Sequence, residues 1–220
     1  LAEEVKSPEA QVFITRVLAR IPTPAAVEWL VKKAAPKSSF ANRLEAIKAL
    51  SAHTLVPSSI AILRQALEGP ENATRVQALE TILNFQLQAK EFSPAIQALF
   101  KRSASAWVKG KALRTGIAID PELWKPLVLK EITHPKSVLQ SMAAGALALA
   151  PNPADAPLLA TLLRDPHSKT VLEILESMGT WPETGFSDEI KAAMKLLLDR
   201  KEPALTASVA DFVERFKWAD

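Results

Sequence analysis

Apolar residues recur along the chain three and four positions apart, in stretches separated by short breaks rich in Pro and Ser. That spacing puts one apolar stripe on each helix and predicts a succession of amphipathic helices. Residues 140–164 show the plan most plainly: a small-residue helix, the Pro-rich turn PNPADAP, and a second amphipathic helix. Residues 8–21 form the first helix of the chain, with Val12, Ile14, Val17, Leu18 and Ile21 as its stripe, and 25–35 form the second. Further helices are expected over 40–52, 60–67, 71–85, 92–102 and 103–119. Ser38 or Ser39 is placed to cap the first of these. A segment beginning at Asp120 or Pro121 contains Pro126, which predicts a late start or a kink. Pairs over 136–165 and 168–198 follow, and 202–218 is a last helix without a visible partner.

Two markers give the same period. A small or apolar slot in the first helix of each pair falls at Ala46, Ala78, Ala112, Ala143 and Ile174, at intervals of 32, 34, 31 and 31. The second helices start near Pro24, Pro57, Phe92, Pro121, Pro153 and Phe186, at intervals of 33, 35, 29, 32 and 33. A period of this size is the signature of a solenoid, in which a unit too small to bury its own apolar face stacks on its neighbours. Small residues in the first helix are expected to let its backbone sit close to the second. The fold expected is all-α: one right-handed α-solenoid over 1–220, of about six stacked helix pairs. Its units run roughly 8–35, 38–69, 70–102, 103–134, 136–165 and 167–200, with a terminal helix over 202–218.

Composition agrees and narrows the chemistry. Hydrophobic residues make up 48% and aromatics 6%, with six glycines, a mix that favours helices over strands. The 16 prolines lie mostly between the periodic segments and act as punctuation. There is no cysteine, which excludes disulfides, thiolate catalysis and cysteine-ligated zinc. No apolar run is long enough to cross a membrane as a helix, so no membrane insertion is expected. The sequence starts at Leu1 without a signal-like segment, so an excised piece of a longer protein or a processed form is expected.

His53, His134 and His167 all fall near turns, and none has an acidic residue at metal-ligand spacing within one helix. There is no H-E-x-x-H, G-x-S-x-G, P-loop or dinucleotide fingerprint. The expectation is therefore no enzyme, no cofactor and no metal. Gly110 and Gly116, with Trp107, lie in an otherwise helical stretch, where close packing is favoured over approach of a ligand to the backbone.

Charge adds one candidate surface. The net charge is +3, but Lys32, Lys33, Lys37 and Arg43 form an uninterrupted positive run, and so do Lys101, Arg102, Lys109, Lys111 and Arg114. Three residues before successive slots stand Gln11, Arg43, Arg75, Lys109, Gln140 and Val171. Stacking would align Arg43, Arg75 and Lys109 as a basic ladder with Lys111 and Arg114 beside it. Each cation either braces a neighbouring repeat, which is the favoured reading, or faces outward to an acidic surface or phosphate.

The segments NRLEAIKALSAH, TRVQALETILN and QSMAAGALALAPNPADAPLLATLLRDP resemble HEAT-type repeats, especially the short bacterial variety named after phycobilisome lyases. The resemblance implies an armadillo-like superhelix used as a binding scaffold. It implies that Arg43 and Arg75 are relatives of the arginine such repeats often carry, and that Asp165 is a turn aspartate. Deoxyhypusine hydroxylase is similar in architecture but needs His-Glu pairs for iron, and this chain has no His-Glu dipeptide. Phycobilin lyase subunits also resemble it, without pocket residues that map onto this sequence. DNA-alkylation-repeat glycosylases share a basic face and tryptophans, yet the five tryptophans here do not share one repeat position. The function expected is a non-catalytic protein-interaction scaffold with a protein partner. The alternatives are a nucleic-acid-binding repeat using the basic face, and a structural spacer.

Overall fold

Serine, threonine and proline set the helix starts. In the computed structural model, which describes residues 7–134 and 137–218, α1 (Pro8–Leu18) and α2 (Pro24–Ala34) each begin with Pro after a Ser or Thr cap. The Ser7 and Thr23 hydroxyls accept from the Ala10 and Ala26 amides. Ser39 caps α3 (Phe40–Leu50) in the same way through the Asn42 amide. Side-chain caps satisfy amides that the first helical turn leaves unpaired, and Pro at the start removes one more of them. The following helices are α4 (Pro57–Glu68), α5 (Asn72–Leu83), α6 (Ser93–Arg102), α7 (Ala106–Ile119), α8 (Pro121–Thr133), α9 (Gln140–Leu147), α10 (Ala156–Leu162), α11 (Ser168–Met178), α12 (Asp188–Leu198) and α13 (Pro203–Phe216). Among the described residues there is no strand, and no helix is long and apolar enough to cross a membrane. The break expected at Pro135 and the reading of the start at Leu1 lie outside the described residues.

One expected detail differs. The helix carrying Pro126 starts at Pro121 and runs on through it. Pro126 has no amide to donate to the Glu122 carbonyl, and both residues are exposed. Phe92, near which a second helix was expected to start, is the N-cap of α6, one residue before that helix begins. It ends a 3₁₀ segment, Gln86–Phe92, that opens with Gln86 at a positive φ of 48° and buries Phe92 completely. This insert lengthens the third repeat.

The helices form an α-solenoid type of packing in two compact units divided between Ile119 and Asp120, within the unit read from sequence as 103–134. In the first unit α1, α3, α5 and α7 pack in succession, and α2, α4 and α6 do the same beside them. In the second, α9, α11 and α13 follow one another, with α8 against α9 and α10 against α12.

The slot residues Ala46, Ala78, Ala112, Ala143 and Ile174 are all fully buried. By helix register, Ile14 and Val209 hold the same place in α1 and α13. One position after the slot, the carbonyls of Ile47 and Leu79 accept hydrogen bonds from Thr81 Oγ1 (2.9 Å) and Thr115 Oγ1 (3.1 Å) of the next first helix. Two positions after it, Arg16 pairs with Glu45 and Glu80 with Lys111, each at 2.9 Å and each one repeat on. In the second unit the Ser141 and Thr170 hydroxyls meet at 3.0 Å, and Trp181 Nε1 donates to the Ala148 carbonyl at 2.9 Å. The close approach made possible by a small residue is visible at Gly145. Its neighbour is the Glu173 backbone of α11, the first helix of the next repeat, where the second helix of its own repeat was expected.

Thr115→Val should lower the stability of the first unit by about 1 kcal/mol, because the isostere keeps the packing and loses one buried hydrogen bond. Urea unfolding of parent and variant would measure it.

Candidate functional site

The basic ladder is where side chains of one chemistry recur at one repeat position, so its geometry decides what the first-helix face of the amino-terminal unit can do. Arg43 leaves the first turn of α3 with its side chain only 12% exposed. It donates to the Pro36 carbonyl at 3.0 Å and to Glu71 Oε1 at 2.7 Å, and lies 5.7 Å from the centre of the Phe40 ring. Glu71 immediately precedes α5, so Arg43 fastens α3 to the start of the next first helix. Arg75 donates to the Gly69 carbonyl at 2.7 Å and to Asn72 Oδ1 at 3.0 Å, which braces the turn between α4 and α5. Lys109 lies over the Phe100 ring at 5.5 Å, and Lys111 pairs with Glu80. Arg114 is half-buried in α7. The five candidate residues thus lie on α3, α5 and α7 of one unit, with at least four held by intramolecular contacts. Arg43→Met should cost about 1–2 kcal/mol, mostly by removing charge-assisted hydrogen bonds to Glu71 and Pro36, and Glu71→Gln should cost less. Chemical denaturation of the two variants would separate these contributions.

One carboxylate beside the ladder titrates abnormally. The Arg16 guanidinium, hydrogen-bonded to Glu45, holds that carboxyl below the usual glutamate range against a smaller opposing effect of burial. A lowered folded-state pKa stabilises the fold above the ordinary glutamate value, and the gain is lost as pH falls through the lowered one. Glu45→Gln should therefore flatten the acid side of a stability-versus-pH curve and leave stability below that window unchanged.

A second bracing set escaped the sequence reading. Arg102, the last residue of α6, donates to the Leu67 carbonyl in the last turn of α4 at 2.7 Å. Arg200, just past α12, donates to the Asp165 carbonyl at 2.7 Å and the Pro166 carbonyl at 2.9 Å. Each reaches back 35 residues to carbonyls at or just past the end of the preceding second helix. A helix C-terminus offers unpaired carbonyls and negative dipole charge, and a guanidinium satisfies both. The available signal was an arginine ending a second helix one repeat after another helix end.

The surface also offers shallow clefts. One, of about 370 Å³, is lined by Gln11, Lys32, Lys33, Lys37, Ser38, Ser39 and Asn42, and collects the three lysines of the first positive run. Its Lys33 Nζ and Asn42 Nδ2 both donate to Gln11 Oε1, at 3.2 and 2.8 Å. The aromatic side chains Phe40 and Trp107, at the starts of α3 and α7, are each 48% exposed. Gly110 and Gly116 are buried within α7. His167 Nδ1 lies 2.9 Å from Asp165 Oδ1 on an exposed turn, and His53 is buried. Among the described residues no three His, Asp or Glu side chains group to hold a metal.

The repeated first-helix register and carbonyl-to-carbonyl spacing of one repeat can be set beside known proteins. Residues 1–84 match the family model for HEAT repeats. The HEAT-type character covers the first two repeats and the start of the third. The crystal structure of YibA of E. coli matches with a TM-score of 0.56 at 12% identity, over 94% of this chain and 74% of that one, and so shares the fold. The complex of CpcE and CpcF of phycocyanin lyase from Nostoc sp. PCC7120 matches with a TM-score of 0.47 at 16% identity, over 88% of this chain and 90% of that one. No curated protein matches the sequence.

Proposed function

We propose that this HEAT-type chain is a non-catalytic protein-interaction scaffold, and that it meets a protein partner along the rim formed by the starts of α3, α5 and α7. One observation carries the reading: the ladder cations are spent on bracing the repeats, while the aromatic residues beside them are left in solvent. Arg43, Arg75 and Lys111 hold carbonyls and carboxylates of the chain itself. Phe40, beside Arg43, and Trp107, two residues before Lys109 in sequence, offer large apolar surface. Exposed aromatics flanked by cations are the residue types that dominate protein–protein binding energy. A phosphate track would instead need the cations free to neutralise charge along the face.

Photo-cross-linking from position 107 should capture a protein that Phe40→Ala/Trp107→Ala no longer binds. A mixed DNA and RNA pool should show no binding at physiological salt. Tight, steeply salt-dependent binding to that pool, abolished by Lys109→Glu, would overturn the reading and make the basic face a nucleic-acid surface.

A further inference from the structure

We propose that the cleft between the turn joining α1 to α2 and the turn joining α3 to α4 holds an arginine side chain of a protein partner, with Glu28 and His53 as its acceptors. The cleft has a volume of about 420 Å³, in the range of small-ligand sites, and both of its walls belong to the amino-terminal unit. The argument starts at His53, which lies seven positions after the slot Ala46, just past the end of α3. The same register along the rest of the chain holds Ile21, Phe85, Ile119, Ala150, Trp181 and Phe216. Apolar side chains therefore meet the packing at this place. The other ring nitrogen there, Trp181 Nε1, donates to the Ala148 carbonyl. His53 is 6% exposed, and its Nε2 is buried without a hydrogen-bond partner. A buried nitrogen left unpaired is a cost that an isoleucine or phenylalanine would avoid. His53 lines the cleft, so a ligand seated there can supply the missing partner.

Charge sets the class of ligand. Among the described residues lining the cleft there is one carboxylate, the exposed Glu28 of α2, and no lysine or arginine. The amino termini of α2 and α4 also border it, but each brings only about half a positive charge. Pro24 and Pro57 remove one amide from each, and Thr23 caps another in α2. The carboxylate therefore decides the sign and favours a cation. Pro24, Val27 and Val56 supply apolar wall for the stem that carries it. A guanidinium presents five N–H donors in one plane, whereas an ammonium is a compact and strongly hydrated point charge. An arginine can thus donate to the Glu28 carboxylate and, with the imidazole proton on Nδ1, to His53 Nε2.

Nitrogen-15 NMR of the uniformly labelled whole chain tests the proposal. The probe is a capped Ala-Arg-Ala peptide, with the citrulline peptide as a neutral control of the same shape. The arginine peptide should move the His53 ring signals, identified by their loss in His53→Phe, with a dissociation constant below about 10 mM. The citrulline peptide should leave them in place. Glu28→Gln, at an exposed position, should weaken binding by at least about tenfold. His53→Phe should melt no lower than the parent, because apolar residues fill this register elsewhere, yet the backbone amide signals of Val27 and Val56 should report binding at least about tenfold weaker. A His53→Phe chain that melts well below the parent would give His53 a packing role and overturn the proposal. So would ring signals that stay in place at about 10 mM arginine peptide, an equal response to citrulline, or a Glu28→Gln chain that binds like the parent. A stronger response to capped Ala-Glu-Ala would make the cleft an anion site and overturn it as well. Phe40 opens α3 and His53 follows its end, so a failure at this cleft leaves the reading of the Phe40 and Trp107 rim standing.

Discussion

Trp124→Ala is expected to be the most damaging single substitution in the carboxy-terminal unit. Trp124 lies on the buried side of α8 and is fully enclosed, the largest side chain that is so among the described residues. Emptying its site removes apolar transfer energy and leaves a cavity, together about 3–5 kcal/mol, a large share of the stability of a domain this size. The midpoint of thermal unfolding should fall by more than about 12 °C. Amide protection should be lost first in α8 and in α9, which packs on it. Trp124→Phe, which keeps most of the apolar area, should lose far less. A variant that melted like the parent would mean that α8 contributes little to the core around it.

Gly145→Val should come next. A Cβ at Gly145 would stand 2.9 Å from the Glu173 carbonyl oxygen and 3.1 Å from Glu173 Cβ. The obstacle is backbone inside a packed helix, so it cannot swing aside as a side-chain tip could. Replacing Gly by Ala in a free helix would gain about 1 kcal/mol. Here that gain competes with overpacking, which costs about 1–3 kcal/mol. Gly145→Ala should therefore be net destabilising by about 1 kcal/mol, and Gly145→Val, with two more methyls against α11, by about 3 kcal/mol. Hydrogen exchange in α9 and α11 would locate the loss. If Gly145→Ala raised the melting temperature, the two helices would be shown to part easily.

What could be read in advance followed from periodicity. Ala46, Ala78, Ala112, Ala143 and Ile174 stood out because burial inside a stack admits few residue types, and all five are fully buried. The helix starts were legible because Ser39, Pro24 and Pro57 have local reasons to stand where they do. The 3₁₀ segment at Gln86–Phe92 was not, since its opening turns on a positive φ at a glutamine, which carries no sequence mark. The late start considered for the helix carrying Pro126 does not occur, since α8 begins at Pro121 and holds Pro126 at an exposed position, and that exposure is a tertiary fact. The ladder itself was visible, but its partners were not: Arg43 bonds Glu71, 28 residues away, and only the stack brings them together. The bracing arginines Arg102 and Arg200 were missed for the same reason.

Among the described residues, three cross-links between first helices of the amino-terminal unit each span a single repeat. Thr81 holds Ile47, Thr115 holds Leu79, and Glu45 meets Arg16. Cutting out residues 40–71 would bring Ser39 directly before Asn72 and set Thr81 beneath Thr15, the residue of α1 in the place of Ile47. The Oγ1 of Thr81 would find the same kind of carbonyl it has now. The joint does not demand an exact period: Thr81 lies 34 residues after Ile47 and Thr115 lies 36 after Leu79, so the turns between helices take up differences in repeat length while the register within each first helix is kept.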